Sequence, residues 1–101
     1  MRSITLSIPH NLPKQEALSR IKNSLTKLKH EQKDKVSGIK EDWQHETCLF
    51  QFTALRLTVS GTLTVHPSSI EIEGKVPFAV FLFRNKITKI ISEKGIELLT
   101  K

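Results

Sequence analysis

The sequence predicts an α+β fold in the order β-α-β-β-β-β-α: an antiparallel sheet with a helix from the N-terminal half and a C-terminal helix packed on one face. Two observations predict it. Apolar residues alternate near the N-terminus and through residues 36–76, whereas residues 13–34 and the segment after Pro77 have a helical period. Successive strands with one helix before and one after favour such a layer. The 101 residues form one expected domain, 1–101.

The N-terminal strand and the first helix are each marked by hydrophobic spacing. Residues 3–8 alternate between apolar and hydroxyl side chains, which predicts a half-buried strand. Pro13 suits the first turn of a helix over residues 13–34. A narrow apolar stripe on that helix is formed by Ala17, Leu18, Ile21, Leu25 and Leu28. We expect this stripe to face the sheet, with Arg20 and Lys27 on the far side.

The middle of the chain is predicted to form four antiparallel strands. Their turns are marked by Gln44-His45-Glu46 and by Pro67-Ser68-Ser69, whereas the break near Thr53-Ala54 is weakly marked. The predicted strands are Ser37–Gln44, Thr47–Thr53, Leu55–His66 and Ser69–Val76.

The segment after Pro77 changes to a helical period. One face of the predicted helix carries Phe83, Ile87, Ile90, Ile91 and Leu98. Lys94 falls within this stripe, and Gly95 costs about 1 kcal/mol in a helix interior relative to alanine. Gly95 is therefore the candidate position for a kink or an early end of the helix.

The run Val76–Phe83 is the most hydrophobic part of the chain and has two interpretations. Burial is the favoured one, because large exposed apolar patches are rare. The alternative is an exposed patch beside Arg84 and Lys86, which suits a lipid or a hydrophobic granule surface. At eight residues the run is shorter than the roughly 20 that a bilayer requires, and residues 1–13 have no signal-peptide pattern.

Positive charge is concentrated on the two predicted helical segments. The net charge is +6; residues 12–35 carry seven basic and three acidic side chains, and residues 77–101 carry five and two. A basic surface attracts polyanions such as nucleic acid or anionic lipid. Lysine-rich helix faces also serve solubility alone, which is the favoured interpretation.

No residue pattern predicts catalysis, a metal site or a cofactor. None of the four histidines has a metal-ligand spacing, so we expect isolated turn and surface residues: His10, His30, His45 and His66. The sequence has one cysteine, Cys48, so an intrachain disulfide is impossible. We expect Cys48 to pack as a small apolar residue. Glu71 and Glu73 are expected to face water, and Phe50 and Phe52 to pack in the core. We therefore expect a binding protein, not an enzyme.

The ordered pattern resembles the small polyhydroxyalkanoic acid system proteins, also called polyhydroxyalkanoate granule-region proteins. The residues that carry the resemblance span nearly the whole chain: Ile4–His10, Leu12-Pro13, Glu16-Ala17, Trp43, Leu49–Phe52, Val59–Val65, Ile70–Glu73, Phe81–Phe83, Ile87, Ile91 and Leu98-Leu99. The chain departs from the family pattern in its lysine-rich first helix, in lacking a glycine before Val59, and in having Arg84-Asn85 instead of a proline-containing turn.

The resemblance implies a cytoplasmic bacterial protein linked to polyhydroxyalkanoate granules mainly by association, and the family supplies no known biochemical activity. A sheet followed by a long C-terminal helix also looks like a reduced helix-grip fold, as in START-like lipid-binding proteins. That likeness is architectural, and an architecture alone is weak support for a function.

Three functional hypotheses follow. In the leading one, the protein binds a hydrophobic ligand or polymer surface through Phe78, Phe81, Phe83, Arg84, Lys86 and Lys89. In the second, it binds nucleic acid or another polyanion through Lys22, Lys27, Lys29 and Lys33. The third is an interaction module that forms a homodimer through an exposed sheet edge.

Overall fold

The computed structural model describes residues 2–31, 36–54 and 56–100. In chain order the elements are β1 (Arg2–Pro9), α1 (Lys14–Glu31), β2 (Val36–Gln44), β3 (Thr47–Ala54), β4 (Leu57–Val65), β5 (Ser69–Val76), α2 (Phe78–Phe81) and α3 (Arg84–Leu99). The predicted class and element order are confirmed, except that the C-terminal helix is divided in two. Residues 32–34 of the predicted first helix and Leu55 of the predicted third middle strand lie outside the described residues.

The five strands form one antiparallel sheet in the order β1-β5-β4-β3-β2. The register places one apolar row across the whole sheet, on the face that the helices cover: Leu6, Ile72, Leu63, Cys48 and Trp43. The opposite face carries hydroxyl and charged side chains, including Glu71 and Glu73, which are exposed as predicted. β1 and β2 are the edge strands, and β2 carries an irregularity between Ser37 and Lys40.

The core lies between this sheet and the two long helices. Its most deeply buried large side chains are Ile70, Val65 and Cys48, so the packing role predicted for Cys48 is confirmed. Ala17 and Ile21 of the predicted α1 stripe are buried in this core. The side chain of Leu28 lies outside the described part of the chain. The rings of Phe50 and Phe52 stack with centroids 6.3 Å apart. Phe50 packs against the core as predicted, whereas Phe52 is half-buried and stacks on Phe50 outside the core cluster.

The C-terminal helix is interrupted between α2 and α3, not at Gly95. The break lies at Leu82 and Phe83, and α3 continues through Gly95 to Leu99. A kink or early end at Gly95 was therefore the wrong prediction. Gly95 lies against β1, where a Cβ atom would come within 2.5 Å of Cδ1 of Ile8. The glycine thus allows a close helix-to-strand contact, and this packing outweighs its poor helix propensity.

The apolar run 76–83 is not buried as a whole, which corrects the favoured interpretation. Val76 is buried at the end of β5, but α2 contains no buried residue. Phe78, Leu82 and Phe83 are 57%, 60% and 62% exposed. The reason is topological: α2 lies beside β1 at the sheet edge, and among the described elements β1 is the one it mainly contacts.

Two polar side chains near the helices differ from their predicted positions. His10 is 6% exposed rather than a surface histidine: its Nδ1 accepts the N–H of Leu12 at 3.2 Å, and its Nε2 donates to the carbonyl of His66 at 2.9 Å. Arg20 does not point away from the fold. Its guanidinium donates to the carbonyls of Leu98 and Thr100 at 3.0 and 2.9 Å, because the C-terminal carbonyls of a helix lack intrahelical partners.

Candidate functional site

The leading candidate site is the surface formed by α2 and the first half of α3. We call it the aromatic-basic surface and define it by Phe78, Phe81, Phe83, Arg84, Lys86 and Lys89. All six residues lie within twelve consecutive positions, so the short helix α2 and the first turns of α3 hold them together. Phe78 and Phe83 are exposed and Phe81 is half-buried. The surface therefore presents aromatic carbon to solvent from a helical segment.

Two arginines hold the aromatic part of this surface. The Arg2 guanidinium carbon lies 5.7 Å from the ring centroid of Phe78 and 5.6 Å from that of Phe81. The Arg84 guanidinium carbon lies 4.4 Å from the Phe81 centroid, and Arg84 donates to the Phe81 carbonyl at 3.3 Å. These distances are within the range of cation–π attraction. The Phe81 ring thus lies between cations from β1 and α3, and Phe78 lies beside Arg2 alone. Sequence spacing did not predict the part played by Arg2.

The basic part of the surface comes from a segment of sequence without acidic residues. Arg84, Lys86 and Lys89 are all exposed, and Glu93 is the first acidic residue after Glu73 along the chain. Cations that flank exposed apolar side chains are typical of helices that lie at an interface between water and an apolar phase.

The structure describes three of the four lysines of the polyanion hypothesis. Lys22 lies over the Trp43 ring, 5.1 Å from its centroid, and Lys29 pairs with Glu41 at 3.1 Å. Lys27 lies 3.9 Å from Glu31 of the same helix. Lys33 lies outside the described residues. The lysines that the structure describes therefore have anionic or aromatic neighbours of their own.

A groove that the sequence analysis missed runs between α1 and α3. Its volume is about 830 Å³; Ile21 and Leu25 line one wall, Ile90 and Ile91 line the other, and sheet residues including Ile72 form the floor. Part of the apolar stripe predicted on the C-terminal helix lines this groove instead of filling the core. The available sequence signal was Lys94 within that stripe, since a lysine there requires an opening to solvent.

A protein-family model matches the chain over nearly its whole length. The family is described as “Putative polyhydroxyalkanoic acid system protein”, and its model matches residues 4–99. The chain belongs to this family. The match includes both long helices, β2 to β5, and β1 from Ile4 onward, so the resemblance predicted from the sequence is confirmed. No curated protein and no solved structure matches the chain.

The single thiol of this polyhydroxyalkanoic acid system protein is not poised as a nucleophile. Burial raises the pKa of the Cys48 thiol, and the nearby Glu41 and Asp42 carboxylates raise the same pKa further. The thiol stays protonated at neutral pH, whereas thiolates are the reactive form of cysteine.

The ionisable groups of this family member include one well-defined surface pair. Lys14 Nζ and Glu46 Oε1 lie 2.8 Å apart and join the start of α1 to the β2–β3 turn. The hydrogen bond from Lys14 lowers the pKa of the Glu46 carboxyl. Within residues 2–31, 36–54 and 56–100 we find neither a metal-binding group of three or more His, Cys, Asp or Glu residues nor a helix able to cross a membrane.

Proposed function

We propose that the protein is a non-catalytic binding protein of the polyhydroxyalkanoic acid system, and that its aromatic-basic surface attaches it to a hydrophobic polymer surface. One observation carries the proposal: Phe78, Leu82 and Phe83 are each more than half exposed within six residues. Contiguous exposed apolar side chains mark interaction sites on soluble domains. Membership of a polyhydroxyalkanoic acid system family favours a polyester granule as that surface.

The geometry suits insertion of side chains into an apolar surface. Phe78, Leu82 and Phe83 project from α2 and the break that follows it, while Arg2 and Arg84 flank the half-buried ring of Phe81. Full removal of one such apolar side chain from water is worth about 1.5–3 kcal/mol. Burial of all three side chains multiplies this free-energy gain, which must exceed the entropic cost of immobilising the protein on the surface.

The cations give the attachment an orientation. Arg84, Lys86 and Lys89 are exposed and keep their charge in water while the aromatic side chains enter the apolar phase. Their attraction to anionic groups on the surface weakens with salt, because exposed charges are screened within about 10 Å at 0.1 M ionic strength. The apolar contribution is not screened. We therefore expect attachment that survives physiological salt.

The non-catalytic part of the proposal rests on the chemistry of the candidate groups. The raised pKa of the Cys48 thiol disfavours a thiolate, and Glu71 and Glu73 both face water on the open side of the sheet. A nucleophile requires an activating base, and a carboxylate pair requires burial that separates the two pKa values. Neither arrangement occurs at these residues.

The experiment that tests the proposal compares sedimentation of the protein with native polyhydroxyalkanoate granules. The variant Phe78→Ser/Phe83→Ser is expected to stay in the supernatant and to keep the circular dichroism spectrum and unfolding midpoint of the unchanged protein, because both side chains are exposed. Leu49→Ser is the matched control, since Leu49 is 50% exposed on the other side of the sheet. Undiminished granule binding by the double variant would contradict the proposal.

A further inference from the structure

We infer that the groove between α1 and α3 is a separate site for one linear aliphatic carboxylate, with the alkyl chain along the groove and the carboxylate on Lys94. The proposed polymer-binding surface lies on α2 and on residues 84–89 of α3, whereas this site uses residues 90–98 of α3 and the inner face of α1. The two sites share no residue, so either can fail without the other.

The composition of the groove selects an alkyl chain. Every large apolar side chain in the lining is isoleucine or leucine; representative positions are Ile21, Leu25, Leu63, Ile72, Ile90 and Leu98. Aliphatic walls offer dispersion contacts to a flexible chain but no ring for a planar aromatic ligand to stack on. Because Ile90 and Leu98 are eight residues apart on α3, the wall is about 12 Å long. Lys94 lies midway along it, so its side chain extends toward one end of the groove when it holds the carboxylate of an extended chain.

The size of the groove suits one small ligand. Its volume is about 830 Å³, and ligand sites typically occupy about 300–1,000 Å³. The floor of the groove is closed to solvent, since Leu63 and Ile70 of the lining are buried core residues. The wall formed by α3 is open to solvent, because Ile90 is 49% and Ile91 36% exposed. A chain lying in the groove would cover these two side chains without displacing the core.

The charges of the lining favour an anion. The ionisable residues of the groove are Arg20, Lys27, Lys94 and Glu97, which gives an excess of two positive charges. Arg20 already donates hydrogen bonds to the C-terminal carbonyls of α3, and Lys27 lies beside Glu31. Lys94 makes no hydrogen bond or ion pair with any residue that the structure describes. Lys94 is exposed and lines the groove, so its ammonium can stay in water while its stem covers apolar surface, which suits an amphiphile with one anionic end.

Two contacts hold α3 in place and keep the groove open. At one end Arg20 joins α1 to the carbonyls of Leu98 and Thr100. On the sheet side, Gly95 lets the helix backbone approach Ile8 closely. These contacts fix the C-terminal half of α3 while the exposed Ile90 and Ile91 remain without cover. The opening is therefore a consequence of specific packing and exists before any ligand arrives.

The test is titration of the full chain with decanoate below its micelle concentration, followed by calorimetry and by chemical shifts of isoleucine and leucine methyl groups. We expect saturable binding of one decanoate per chain, with shifts concentrated at Ile21, Ile72, Ile90 and Ile91. Decanol should bind more weakly, decyltrimethylammonium more weakly still, and butanoate should not fill the groove. A lack of decanoate binding, or methyl shifts confined to Leu82 of the aromatic segment, would overturn the inference.

Two matched pairs of variants distinguish the contribution of the ligand's alkyl chain from that of its carboxylate. Ile90→Glu should abolish decanoate binding, whereas Ile96→Glu should not, because Ile96 is equally exposed on the same helix but is not part of the lining. Lys94→Gln should weaken decanoate by about tenfold, the effect of one hydrogen bond to a charged group. It should leave decanol unchanged, and Lys89→Gln should affect neither ligand. Equal weakening of both ligands in Lys94→Gln would contradict carboxylate recognition.

The same variants distinguish this site from the polymer-binding surface. Phe78→Ser/Phe83→Ser should retain decanoate binding, and Ile90→Glu should retain granule binding. Loss of both activities in both variants would mean that one continuous surface binds both ligands, which contradicts a separate groove.

Discussion

Gly95 of α3 lies directly against Ile8 of β1, so closely that a Cβ atom on the glycine would be 2.5 Å from Cδ1 of the isoleucine and 3.3 Å from its Cγ2. Ile8 is 3% exposed and has little room to move. Gly95→Ala gains about 1 kcal/mol of helix propensity but overpacks this contact, which costs about 1–3 kcal/mol. We expect a net decrease of about 1 kcal/mol in the free energy of unfolding, measured by urea denaturation.

A double-mutant cycle isolates the contact itself. Ile8→Val removes Cδ1, the atom nearest to the absent Cβ. In that background Gly95→Ala should cost less than in the unchanged protein, or should be stabilising. Equal costs in the two backgrounds would show that Gly95 is required for a reason other than its distance from Ile8.

The course of the C-terminal segment shows where sequence reasoning succeeds. Hydrophobic spacing located every strand and both long helices, because alternation and helical periodicity are local properties. It failed at Gly95, since the benefit of a glycine there comes from a strand that lies more than eighty positions earlier in the chain. A local propensity contains no information about such a contact.

The candidate sites were predictable to different degrees. The apolar run and its neighbouring cations were visible in the sequence, but exposure of Phe78 and Phe83 was not, because it depends on which sheet edge the segment lies beside. The groove was missed since the stripe on α3 was expected to be buried. Only Lys94 indicated that part of this stripe faces water, and a single lysine does not specify a cavity.

Two glycines on neighbouring strands are expected to differ sharply in their tolerance of alanine. A Cβ atom at Gly61 would collide with the carbonyl oxygen of Glu73 and lie 2.9 Å from both Cα of Gly74 and Cζ of Phe50. Backbone atoms of a paired strand cannot move aside, so Gly61→Ala should lower the free energy of unfolding by about 3 kcal/mol.

Gly74→Ala is the matched control for that substitution. The nearest atom to its added Cβ would be 4.0 Å away, which is ordinary contact. Alanine should be neutral there or stabilising by about 0.5 kcal/mol through the unfolded state. Similar destabilisation by both variants in urea denaturation would contradict the close packing assigned to Gly61.

The buried thiol of Cys48 should make stability depend on pH in the alkaline range. Burial raises its pKa in the folded state, so the unfolded chain ionises first, near pH 8.5. Above that pH the folded state binds more protons than the unfolded state, and the free energy of unfolding falls as pH rises. Cys48→Ala should show a shallower fall when both proteins are unfolded with urea across this range. Identical slopes would contradict the assignment.

The pair Lys14–Glu46 predicts a change in one carboxyl titration. The Lys14 hydrogen bond lowers the pKa of Glu46, so Lys14→Met should return that pKa toward the ordinary value of about 4.3. The stabilising effect of the pair is present above that value and is lost as pH falls through the lowered pKa. Carbon-detected NMR titration of the side-chain carboxyl measures the shift. Lys27→Met, whose side chain pairs elsewhere, should leave Glu46 unchanged.

Attachment to a hydrophobic polymer surface is the central claim, and its most direct test is the bound fraction of the unchanged protein at low and at physiological salt. Native polyhydroxyalkanoate granules, neutral lipid vesicles and a mixed-sequence oligonucleotide are compared. We predict that granule binding persists at physiological salt, because exposed aromatic side chains drive it. Binding to the oligonucleotide alone, lost as salt rises through counterion return to the phosphates, would contradict the claim and assign the function to the lysines.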